Sequence, residues 1–158
     1  MTAYRSWPAP ARSMAVAIDT AVTAAQAGVA EAFGDATVEL RRHDRGQLIV
    51  LLGAVTRDLL EQAHPDGLDS DDAEQVLESC RRSAGAWYPD VDRDSLIRAL
   101  TGALGVSEPE ESSGDEAAVM HHGLLLIADR LSVTNRTLPA LLDAALAELM
   151  REQTVELP

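Results

Sequence analysis

The chain has no lysine, one cysteine and almost no aromatic side chains, and each scarcity closes off a class of protein. With Cys80 as the only cysteine, no disulfide can form within the chain and no paired-cysteine zinc site can be built. A thiol of this kind reads as a small buried hydrophobe. Aromatics make up 3% of the 158 residues while alanine and leucine dominate the apolar set, which favours helices over strands. All 13 basic residues are arginine, set against 26 acidic ones, and the net charge of −13 repels phosphate polyanions and anionic lipid headgroups. Nucleic acid and membrane are therefore disfavoured as partners. Long apolar runs are missing too. The run at 14–18 is stopped by Asp19, short of the roughly 7 to 15 uncharged residues of a secretory segment, and no stretch nears the roughly 18 of a membrane span. A cytoplasmic location is expected. Neither a glycine-rich phosphate loop nor a nucleophile elbow nor an HExxH pair occurs, so no catalytic residue and no cofactor is assigned.

What is present suits one globular domain. Hydrophobic residues are 46% and charged residues 25%, and the length suffices to bury a core unaided. The pattern predicts an all-α domain over 13–153, with about six helices in an orthogonal or bundle-like arrangement around a buried central helix. Residues 1–12, with Trp7 among prolines, read as an extended lead-in anchored by that indole. Met14, Ile18, Val22, Ala25, Val29 and Phe33 fall on one helical stripe and predict a first helix over 13–33. Its small residues Ala17, Ala21, Ala25 and Ala32, with Gly28, suit close approach of another helix, in a hairpin or a homodimer seam.

A charged bridge at 39–45 leads to Asp44, which with Gln47 reads as a capping signature. The apolar run 48–52, continued by Val55, Leu59 and Leu60, is apolar on every side and is expected to be the central core helix. His64-Pro65-Asp66-Gly67 ends it, and Asp69 caps a third helix running to Trp87. A short fourth helix ends at Leu104, with Gly105 as a left-handed cap and Val106 closing it by apolar contact. The segment 107–116 holds five acidic residues and no basic one, and is expected to be a solvated loop. Two more helices follow, over 116–131 and 138–153.

Three motifs carry possible chemistry. Glu61 and His64 have the Glu-x-x-His spacing that, used twice, builds di-iron sites in bundles; only one copy exists. His121 and His122 are further metal candidates, although adjacent helical residues point about 100° apart. Asp90-Val91-Asp92-Arg93-Asp94 opens like a calcium loop, but Ser95 replaces the glycine and Thr101 the bidentate glutamate, which favours helix capping. Finally, Ile127-Ala128-Asp129-Arg130-Leu131-Ser132-Val133-Thr134-Asn135-Arg136-Thr137-Leu138 resembles the core of a bacterial helix-turn-helix. That resemblance implies DNA binding through 124–142, with Asn135 and Arg136 as contact residues. It departs from the pattern at Ser132, where a glycine is usual, and at Pro139. A second helix starting at Asn135 would enclose that proline at a cost of about 3 kcal/mol, and a start at Thr137 avoids this by lengthening the turn.

With no catalytic constellation, the expected role is a helical protein-interaction or regulatory domain that takes a protein partner or self-associates as a homodimer. A small molecule held in a pocket between helices, as ligand or substrate, is the second reading. DNA regulation through the degenerate motif is the third.

Overall fold

A computed structural model describes residues 7–106 and 116–156, the last four by backbone alone. Seven helices, and no strand among the described residues, make up the fold: α1 Ala9–Ala27, α2 Ala30–Leu40, α3 Arg45–Ala63, α4 Ser70–Gly85, α5 Arg93–Leu104, α6 Glu116–Leu131 and α7 Leu138–Glu156. The acidic segment expected to be a loop lies outside the described residues except for Glu116, which opens α6 and reaches Arg45 at 2.6 Å.

The stretch expected to be one first helix is two. Gly28 takes φ 69°, its N–H reaching the Ala25 carbonyl and that of Val29 the Ala24 carbonyl, a left-handed ending that glycine accepts without a Cβ penalty. Val29 is therefore exposed, while Phe33 on α2 is buried. Where an extended lead-in was expected up to residue 12, α1 begins at Ala9, because Pro10 within the first helical turn removes a donor that has no partner there anyway. Trp7 does anchor the entry: it is buried, and its Nε1–H donates to Asp143 Oδ1 of α7 at 2.6 Å.

Caps read from the sequence form as expected. Asp44 accepts from the Gln47 amide at 2.8 Å, Asp69 and Asp72 make a reciprocal capping box on α4, and Asp92 caps α5 through Ser95. Gly105 is left-handed, with the Val106 amide on the Thr101 carbonyl. The backbone bonds suffice there, since the Val106 side chain stays 66% exposed and makes no apolar closure.

The central helix is α6, not α3. All eight residues 122–129 are buried, because α6 is walled by α1, α3, α4 and α5. The α3 helix packs on α5, α6 and α7 through Leu48, Leu51, Leu52, Val55, Thr56, Leu59 and Leu60 and leaves its other side open. Of the Ala stripe, Ala21 and Ala25 are buried where α1 meets its neighbours, Ala17 is half-buried, and Ala32 on α2 is exposed.

Candidate functional site

A helix can bury only the stripe that faces its neighbours; residues rotated away from it face water. On α3 that rotated stripe is Ile49, Val50, Gly53, Ala54 and Arg57. Ile49 is 45% and Val50 50% exposed. They line a groove of about 310 Å³ between α5, which contributes Gly102 and Ala103, and α7, which contributes Ala145, Glu148, Leu149 and Glu152. Small residues form its floor. A Cβ on Gly53 would meet the Ala103 backbone at 3.8 Å, while one on Gly102 would meet nothing within 4 Å. The walls are polar only at the rim, where Arg57 reaches Glu148 at 3.8 Å and Glu152 adds a further carboxylate.

A second feature is a buried polar cluster that sequence reasoning missed. On α6 the Asp129 carboxylate, 4% exposed, accepts from Ser79 at 3.0 Å and Ser83 at 2.8 Å on α4. Its neighbour Arg130 donates to it at 2.7 Å and to Ser79 Oγ at 3.1 Å. These bonds supply partners to a carboxylate set in a largely apolar core. Ser79 and Ser83 stand one helical turn apart, on either side of Cys80. Burial and the charge of Asp129 push that thiol up to about 12, which makes it an inert packing residue. The only sign in the sequence was an Asp-Arg pair closing an apolar run.

The candidate metal ligands are not brought together. Glu61 is exposed in the last turn of α3, and His64, which ends that helix, sits 3.7 Å from Asp72 of α4. His122 is buried with both ring nitrogens engaged: Nδ1–H donates to the Ala118 carbonyl at 2.7 Å, and Nε2 accepts from the Asp92 amide at 2.9 Å. His121 packs edge-on to Phe33 instead. Among the described residues no group of three ligating side chains converges. The start resembling a calcium loop is a cap, as its missing glycine implied.

The pair 135–136 lies in a six-residue connection between α6 and α7, longer than the three or four residues of a helix-turn-helix. The helix starts at Leu138, so Pro139 falls in its first turn and does not clash. Arg136 is drawn back to Asp58 of α3 at 3.6 Å, and Asn135 is exposed. The outward residues at the start of α7 are Ala140, Asp143, Ala144, Ala147 and Glu148, a face without a basic side chain.

The His122 geometry fixes a pH response. The Nε2 bond requires the neutral ring, and burial holds its pKa below the ordinary 6.5 against the Ala118 carbonyl bond and the Asp92 and Asp90 charges, which favour the protonated form. The unfolded chain therefore takes up a proton that the folded chain refuses. Stability from this group is complete above about pH 6.5 and falls as the pH drops toward the folded-state pKa. Urea midpoints are expected to decline between about pH 7.5 and 5.5, and His122→Gln to flatten that slope; an equal slope in the variant would refute the assignment.

No family model matches the chain, and neither a curated protein nor a solved structure resembles it, so no function passes to it by likeness.

Proposed function

We propose that the chain is a protein-interaction domain that takes an amphipathic helix of another protein along α3, apolar side down and basic side chains toward the rim. The observation that carries this is the exposure of Ile49 and Val50 in a groove whose floor is glycine and alanine. Two half-exposed β-branched side chains side by side leave apolar surface in water that a partner would remove. A floor of small residues lets a helix backbone approach closely, and the groove runs along α3 as a helix-in-groove site does.

Charge selects the partner. Glu148, paired with Arg57, and Glu152 border the groove, and the chain as a whole carries −13. A second copy would bring the same rim and the same excess, whereas a helix flanked by lysine or arginine meets its complement.

A designed leucine–lysine amphipathic helix is the probe, titrated by fluorescence anisotropy at physiological salt. Ile49→Ser and Val50→Ser keep the net charge, as does Gly102→Leu, which fills the floor. Each is expected to weaken binding about tenfold or more, equivalent to about 1.4 kcal/mol. Attraction to a polyanion would survive all three, and that outcome overturns the proposal. Sedimentation as a dimer that Val50→Ser dissolves would also overturn it, in favour of a second copy.

A further inference from the structure

Toward the other end of α5 from that groove, the chain gathers chemistry that the interaction reading leaves unused. Phe33, Trp87 and Tyr88 are three of its five aromatic residues; Phe33 meets the other two edge to face, and Trp87 and Tyr88 lie tilted to each other. Phe33 lies 5.3 Å from Trp87 and 5.6 Å from Tyr88 between ring centroids, and His121 and His122 complete the cluster. Tyr88 and the two histidines form one wall of a cavity of about 570 Å³ where α2, α5 and α6 converge. Arg41, just past α2, and Arg98 of α5 line it, as do Asp90 in the connection between α4 and α5 and Asp94, one turn before Arg98 on α5.

These four charges are not spent on each other. Eight described arginines, Arg42, Arg45, Arg57, Arg81, Arg82, Arg93, Arg130 and Arg136, reach a carboxylate. Among the described residues Arg41 and Arg98 make no ion pair, and neither do Asp90 and Asp94, although all four border the same space. Asp92, between the aspartates, is occupied as the α5 cap. A pure anion entering would meet the aspartates, and a pure cation would meet the guanidiniums. A molecule carrying both signs satisfies both, with a planar or apolar body against the Tyr88 and His121 rings.

We propose that this cavity binds a zwitterionic small molecule of the free α-amino-acid class, its carboxylate on Arg41 and Arg98 and its ammonium on Asp90 and Asp94. The four side chains are exposed, so solvent screens each contact and the affinity falls in the millimolar to high micromolar range.

L-Phenylalanine is the probe, followed by amide chemical shifts in the intact chain, with N-acetyl-phenylalanine and phenylalanine methyl ester as its single-charge counterparts. The free amino acid is expected to shift the amides of Ser95, Ala117 and Ala118 saturably at up to about 10 mM, and each counterpart to bind about tenfold more weakly. Arg98→Gln and Asp94→Asn should each cost about the same factor with unchanged circular dichroism, because neither side chain supports the core. No shift with phenylalanine would overturn the proposal. Equal binding of the acetylated form would make this an anion site, and equal binding of the ester a cation site; either result defeats the zwitterion.

Discussion

Replacing Asp129 with alanine is expected to cost about 3 to 5 kcal/mol of folding stability, the scale for removing one partner of a buried ion pair. The carboxylate is 4% exposed and Arg130 13%, so neither charge is well screened by water. Without Asp129, the guanidinium keeps only the Ser79 hydroxyl, and the Ser83 hydroxyl loses its acceptor on α6. Urea denaturation at neutral pH reads the loss as a lower midpoint at unchanged slope. A double replacement, Asp129→Ala with Arg130→Met, should recover a large part of it, because the penalty lies in the uncompensated charge more than in the lost attraction. A loss below about 1 kcal/mol for Asp129→Ala would mean that water reaches the pair.

The second large effect separates α6 from α3. Leu126→Ala is expected to lose about 2 to 5 kcal/mol, since Leu126 is fully buried on a helix packed against four others and its removal leaves a cavity in the core. Val50→Ser, on the helix that looks the more apolar in sequence, should stay within about 0.5 kcal/mol. Thermal or urea unfolding of the two variants decides the ranking. If Val50→Ser proved as damaging as Leu126→Ala, the surface along α3 would be core and the interaction groove would not exist.

Those two residues show where sequence reading stopped. A run of apolar residues at 48–52 predicts burial, but a helix buried on all sides needs neighbours on all sides, and which helix receives them is decided by topology. Here α6 sits between α1, α3, α4 and α5, and α3 is left with three. The exposed Ile49 and Val50 are therefore a tertiary fact. So is the Asp129 cluster, which joins residues about fifty positions apart along the chain. His121 and His122 could be picked out as candidates, yet only the approach of the Asp92 amide shows that His122 has no nitrogen to spare.

Composition and periodicity alone determined that this chain is helical, where most of its helices stop, and which side chains cap them. These are local properties: a left-handed glycine at 105, an aspartate before an apolar run and a three-to-four-residue repeat act within one or two turns of backbone. What the packed structure decided is everything that depends on which surfaces meet: the break at Gly28 beside Trp87, the central place of α6, the open side of α3, and the convergence of Arg41, Arg98 and two aspartates on one cavity. A residue's own type fixes its preference for water, but burial is shared among distant segments, and only their joint arrangement settles who receives it.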